Sequence, residues 1–269
     1  MSVKYGISFT ALLFMLFSCS HKNQFPVKNS EKTESENIVL TSSLMQGNGI
    51  AIVDSVRKNN FEIELNELLG CKQFYEERNE QFDLVTLENL WNNLKGESKN
   101  FSFESVSDWI EITGFLLEIT GKELYAQELE NVVYQSSGLY SETELKQIEN
   151  LIIPLIFTKN IDHIHVNLFA NATVKYNHTL KGAVEIIQET DYPKSGKVQI
   201  KFKMEQKRYI ELFIRIPEWA EGATVTEKGV KYVAPPGGYS KIVRKWSDGD
   251  FIEIDFPLEK MPAYLKTEF

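Results

Sequence analysis

Few side chains in this sequence are of the kind that does chemistry. There are two cysteines, Cys19 and Cys71, and four histidines. Two thiols cannot build a disulfide framework or a four-cysteine zinc site. Cys71 falls between two helical patterns, where a lone thiol reads as packing rather than as a nucleophile. His163 and His165 are two apart in an alternating stretch, so both imidazoles share one strand face. That spacing suits a metal, yet no third ligand is evident in sequence and the pair reads as structural. Tyr192, Trp219, Tyr239 and Trp246 carry rings that could stack on a sugar; in a packed β domain such rings also serve as core or loop anchors. Asp191, Asp248 and Asp250 stand in turn sequences and read as turn caps.

The elements that must hold these residues are strands. Val198, Ile200, Phe202 and Met204 point one way, and Lys197, Gln199, Lys201 and Lys203 the other. The pattern returns at Ile210, Leu212, Ile214 and Ile216, and again at Ile252, Ile254 and Phe256. Alternation broken by closely spaced turns predicts antiparallel strands with one wet face, stacked as a sandwich over 161–269.

Ahead of the sandwich the apolar period is helical. Residues 61–69 and 72–94 carry a stripe of Phe74, Phe82, Leu87, Leu90, Trp91 and Leu94. Residues 101–134 predict a helical hairpin. Ser102 or Ser105 caps it, Thr120-Gly121 turns it, and Trp109, Phe115 and Leu116 make it too apolar to stand free of the sandwich. Ser141 opens a further helix that runs toward Pro154.

The chain has 269 residues and a net charge of −9, which argues against nucleic acid as a partner, since that needs a basic surface. Lys4 precedes an apolar run, 7–17, too short for a stable membrane span and suited to a secretory signal. The run ends Leu16-Phe17-Ser18-Cys19, which resembles the bacterial lipobox, whose cysteine is lipidated and becomes the mature N-terminus. The expected organisation is a lipoprotein signal peptide over 1–19, a polar tether over 20–37 and a helical region over 38–160, followed by the sandwich. The expected location is the bacterial cell envelope, held by lipid on Cys19 to a bilayer, the outer membrane.

The order of separated motifs carries a second resemblance. Val-Asn-Leu-Phe (166–169), Gln-Glu-Thr-Asp-Tyr-Pro (188–193), Gly-Lys-Val (196–198), Arg-Ile-Pro-x-Trp-Ala (215–220), Gly-Tyr (238–239) and Trp-x-x-Gly-Asp (246–250) follow one another. Together they resemble the β-sandwich of glycoside hydrolase family 127, typified by bacterial β-L-arabinofuranosidases. Leu-Glu-Ile-Thr-Gly-Lys-Glu-Leu-Tyr-Ala (117–126) resembles the last helix pairs of that family's α/α barrel. The resemblance runs from residue 101 onward and implies an α+β multidomain fold. A partial α/α-barrel helical region precedes an antiparallel β-sandwich. About 120 residues between tether and sandwich hold four or five helices of ordinary length, so the barrel is expected as a remnant.

In the family, as the resemblance implies it, a cysteine thiolate held on zinc attacks the anomeric carbon and a glutamate serves as acid and base. The ligands come from a Glu-Thr-Cys-Ala phrase and a later Cys-Cys pair. Counting back from Gly121, the first phrase falls on Ser102-Phe103-Glu104-Ser105, with Glu104 where the cysteine belongs. No cysteine lies between Tyr134 and Ile164, where the pair belongs. Glu104 reads as a capping or solvated residue. The expectation is therefore no catalytic residue, no zinc or other cofactor, and a non-catalytic relative that binds glycan or a partner protein. The competing expectation is an active hydrolase of arabinose-containing glycans.

Overall fold

The computed structural model describes residues 4–6, 49–78, 81–95, 102–136, 139–180 and 182–266. Cys19, the apolar run and the tether lie outside the described residues. Among the described residues, five helices follow a short strand at Lys4–Gly6: α1 (Gly49–Arg78), α2 (Gln81–Leu94), α3 (Phe103–Thr120), α4 (Glu123–Ser136) and α5 (Glu142–Ile152). α1 runs unbroken through Cys71, so the thiol is a helical residue packed at the edge of the core and not a turn. No described helix is long and apolar enough to cross a membrane.

Local chemistry explains the helix ends. Ser102 Oγ accepts from the Ser105 amide at 3.2 Å and starts α3. Gly121 closes it at φ +65°, a conformation that costs a residue with a Cβ about 1–2 kcal/mol. Ser141 and Glu144 form a reciprocal capping box on α5. The helical core is a tryptophan stack. Trp91 and Trp109 lie parallel, 5.4 Å apart, with Tyr125 edge-on to Trp91 and Phe61 to Trp109. Trp109 donates to Glu128 and Trp91 to Thr113. Trp109 thus serves the interior of the helical region, not its contact with the sandwich. The hairpin meets the sandwich through α4.

Strand β1 (Lys4–Gly6) pairs with β4. The others are β2 (Phe157–Asn160), β3 (His163–Val166), β4 (Ala172–Asn177), β5 (Ala183–Thr190), β6 (Lys197–Met204), β7 (Arg208–Ile216), β8 (Thr224–Glu227), β9 (Val230–Val233), β10 (Gly238–Trp246) and β11 (Phe251–Asp255). One sheet has the order β1-β4-β5-β6-β11-β8-β9, the other β10-β7-β3-β2. Helices followed by two sheets make an α+β fold. Two details differ from expectation. The first strand of the smaller sheet starts at Phe157, ahead of the expected boundary at 161. Pairing is antiparallel except between β3 and β7, which run parallel because the intervening chain crosses into the larger sheet and back.

The alternating residues are buried as their period requires: Val198, Ile200 and Phe202 on β6, and Ile210, Leu212, Ile214 and Ile216 on β7, are all within the core. Gly196 sits where a Cβ would lie 2.0 Å from the Phe256 carbonyl oxygen, while its own carbonyl accepts from the Phe256 amide at 2.9 Å. That close approach explains the glycine of the Gly-Lys-Val motif. The Tyr192–Pro193 bond is cis.

Candidate functional site

The motifs converge on one buried polar frame at the junction of α4 with the smaller sheet. Arg215, at the outer end of β7, is fully buried. Its Nε donates to the Asn167 carbonyl at 2.6 Å and its Nη2 to Glu130 at 2.6 Å. Its Nη1 reaches Gln127 at 3.3 Å and Glu123 at 3.4 Å. Asn167 donates to the Leu155 carbonyl and to Thr158 and accepts from the Tyr239 hydroxyl at 2.6 Å. Tyr192 donates to Glu130 at 2.9 Å. Gln188 ties the Leu168 and Ala170 carbonyls from the next strand.

The electrostatics follow from that packing. Burial works against the charge on Arg215; Glu130, Tyr192 and Glu123 more than offset it and hold the guanidinium above its ordinary range. Burial, with Glu130 adding to it, raises the Tyr192 hydroxyl well above the ordinary phenol range. Burial, then Glu130, also raises Tyr264, to about 12. Burial pushes the Glu123 carboxyl upward, against the pull of Arg215. The frame is a closed structural lock.

The four rings singled out in the sequence lie around this frame and between the sheets. Trp246 is fully buried, stacked on Phe202 at 3.9 Å, and donates to the Ile210 carbonyl. It fills the space between the sheets and presents no face to a sugar. Tyr192 is also buried, its hydroxyl committed to Glu130 and its ring edge-on to Phe169 and Phe256. Trp219 and Tyr239 are half-buried; Trp219 meets Phe256 edge-on and Tyr239 stands edge-on to His165. The four rings form no shared exposed platform.

His163 and His165 share the outer face of β3, as their spacing requires. His165 stacks on Phe213 at 4.5 Å; burial, then His163, lowers its pKa. His163 lies 3.5 Å from Glu211, which Lys241 holds at 2.6 Å. Among the described residues no group of three histidine, cysteine or acidic side chains is placed to hold a metal. Asp248 and Asp250 cap turns through the Met204 and Ser247 amides.

The phrase at 102–105 lies at the start of α3. Ser102 and Ser105 are tied to each other, oxygen to oxygen at 2.9 Å, and Ser105 is buried. Glu104 is exposed. Two capping hydroxyls and a solvated carboxylate do not fit a zinc–thiolate centre. Beside them is an open pocket of about 360 Å³ between α3 and α5, lined by Phe103, Glu104, Ser107, Asp108, Gln147, Asn150 and Leu151. Burial, then Glu111 and Glu104, raises the Asp108 carboxyl. Phe103, Glu104 and Asp108 line it from α3, and Gln147 and Asn150 from α5. Asp108, Gln147 and Asn150 carry no motif; only helical spacing, one turn from Glu104 for Asp108 and one turn apart on α5 for the other two, could have singled them out.

Residues 163–258 match the family model described as beta-L-arabinofuranosidase, GH127 middle domain. No curated protein matches the chain. Similar solved structures include a GH127 β-L-arabinofuranosidase from Geobacillus stearothermophilus T6, at 21% identity and TM-score 0.46 over 57% of this chain and 30% of that one. A glycoside hydrolase is similar at 23% identity and TM-score 0.48, over 58% of this chain and 32% of that one. A GH127 β-arabinofuranosidase is similar at 19% identity and TM-score 0.47, over 58% and 31%. The chain thus spans under a third of the length of these relatives.

Proposed function

We propose that this chain is a non-catalytic relative of family 127 enzymes that binds glycan, or a partner protein, from a lipid anchor in the bacterial cell envelope. The observation that carries it is at α3. The positions that the resemblance assigns to the glutamate ligand and the cysteine of that phrase hold Ser102 and Glu104, and the Ser102 hydroxyl is consumed in the helix cap with Ser105. Without a thiolate there is no covalent step of the family type. Cys71 cannot substitute alone, since one thiolate cannot be nucleophile and also complete a cysteine ligand set. On this reading zinc is not a cofactor, arabinose-containing glycan is the ligand class, and the α3–α5 pocket is where it binds. The lipobox-like end at Cys19 supplies the anchor and the outer membrane the location. Residues 4–6 then leave with the signal, and β4 becomes the edge of its sheet.

A second reading has one observation in its favour. Asp108 holds its proton above the ordinary carboxylate range beside Glu104, which is how a general acid is paired with a carboxylate in glycoside hydrolysis. One assay separates the two. Purified protein, with zinc and a thiol reductant present, is given an aryl β-L-arabinofuranoside and, separately, arabinan oligomers. The expected result is oligomer binding without turnover, with the binding lost in Asp108→Asn. Turnover lost in Asp108→Asn makes the chain a carboxylate hydrolase, and turnover lost in Cys71→Ser restores the thiol mechanism. The absence of both turnover and binding sinks the glycan reading.

A further inference from the structure

We propose that the sandwich end formed by the β2–β3, β4–β5 and β6–β7 turns is a contact surface for a bilayer carrying anionic headgroups. Three large apolar side chains stand out from it: Ile161 is 64% exposed, Leu180 72% and Tyr209 45%. They belong to three different segments that are clamped into one unit. The Glu211 amide donates to the Asp162 carbonyl at 3.1 Å. Thr179 donates to Asp162 through its hydroxyl. His178, only 3% exposed, bonds the Tyr209 carbonyl through Nε2 at 2.9 Å and accepts from the Leu180 amide through Nδ1 at 3.1 Å. These rigid turns hold the three side chains outward together.

Ile161 makes the point sharply. Its φ is +57°, the left-handed region that a β-branched residue enters only under constraint. Glycine or asparagine would sit there more easily, and the isoleucine side chain repays nothing by burial because it points to solvent. A costly residue whose side chain is presented rather than packed marks a surface with a use.

Charge selects the occupant. The protein carries −9 overall, yet Lys159, Lys207 and Lys245 are exposed at this end and Arg208 packs over Gly182 beside them. Lys245 stands opposite Tyr209 across the β7–β10 pair. Of the acids there, Asp162 is engaged by Thr179 and His178, and Glu211 by Lys241; Asp248 caps the Met204 amide and is exposed, as is Glu205. Branched aliphatic tips, a tyrosine and a basic rim on an acidic protein are the elements of interfacial binding to anionic lipid. A neutral glycan would use neither the rim nor the aliphatic tips.

The test is co-sedimentation of the full chain with phosphatidylglycerol or phosphatidylcholine vesicles, with Cys19→Ser in every sample so that no acyl chain anchors it. The apolar run at 7–17 is common to all samples and sets the baseline. Partition to the anionic vesicles is expected to exceed the zwitterionic by tenfold or more, at about fivefold per basic residue at the surface. Ile161→Asn with Leu180→Ser is expected to remove the excess while leaving the urea midpoint unchanged or higher, since asparagine tolerates the left-handed backbone. Lys207→Glu with Lys245→Glu is expected to remove its salt-sensitive part. Equal partition of the parent and Ile161→Asn/Leu180→Ser overturns the proposal. So does concentration-dependent self-association that the same variant abolishes, which would make the occupant a second copy.

Discussion

Inside the sandwich, β6 and β7 bury Ile200, Phe202, Leu212 and Ile214 without a charge among them. One residue further along β7, on the opposite face, Arg215 meets Glu123, Gln127 and Glu130 of α4 with no water-facing atom of its own. The same strand thus packs one face by area and the other by geometry. Apolar packing tolerates exchange of shape for shape. A buried guanidinium with several fixed acceptors does not, because removing either partner leaves the other desolvated and unpaired. The sandwich interior is robust and generic, whereas the helix junction is specific, and it decides which helices this sandwich carries.

The strongest way to break that contrast is Arg215→Ala. It leaves Glu130 buried with the Tyr192 hydroxyl but no cation, and should cost about 3–5 kcal/mol. Arg215→Met combined with Glu130→Gln should recover part of the loss. Urea unfolding followed by helical circular dichroism and by near-ultraviolet signal should then separate. The helices would melt at lower urea than the sheets, because the junction fails while the sandwich interior is untouched. Coincident transitions at the parental midpoint would show that the lock contributes little.

How much of this was legible in sequence follows the same division. Period-two alternation exposed the inner faces of β6, β7 and β11, because every second side chain must enter one core. Ser102, Ser141 and Gly121 announced helix ends because capping is local. The junction was not legible. Arg215 stands on the face expected to be wet, and its partners lie 85 to 92 residues away on α4. Trp246 was read as a candidate sugar contact because sequence shows a ring and not which sheet covers it. The β2 start at Phe157 was missed because Phe157 and Thr158 are both buried, which hides the alternation. Asp108 and its pocket were missed because they depend on α5 lying alongside α3.

A milder change sharpens the contrast within the helices themselves. Their core is apolar by area, yet Trp91 Nε1 donates to Thr113 at 2.9 Å with both residues fully buried. Thr113→Val keeps the volume and deletes the acceptor. It should cost about 1–3 kcal/mol, the desolvation penalty of a buried donor left without its partner. A loss well below that would mean the Trp91–Trp109 stack shifts to let the indole nitrogen find another acceptor.

The smallest expected effect concerns Glu123, and its sign tests how the junction holds charge. Burial raises the carboxyl above its ordinary value, Arg215 pulls it back, and Glu130 and Glu218 push it up again. The net direction is upward, so the folded protein binds this proton more tightly than the unfolded chain does. The group therefore contributes stability that is fully present below the unfolded carboxylate range and is lost as pH rises through the folded value. At neutral pH the ionised form is a liability, because Arg215 lies at 3.4 Å and is already satisfied by Glu130 at 2.6 Å. Glu123→Gln keeps the shape and an oxygen for Arg215 but carries no charge. It should equal or slightly exceed the parent in urea midpoint at neutral pH, and the difference should shrink as the pH falls into the carboxylate range. Glu130→Gln should do the opposite at neutral pH and destabilise, since it removes the closer carboxylate. If Glu123→Gln also destabilised at neutral pH, the guanidinium would need both carboxylates, and attraction rather than burial would set the balance at this site.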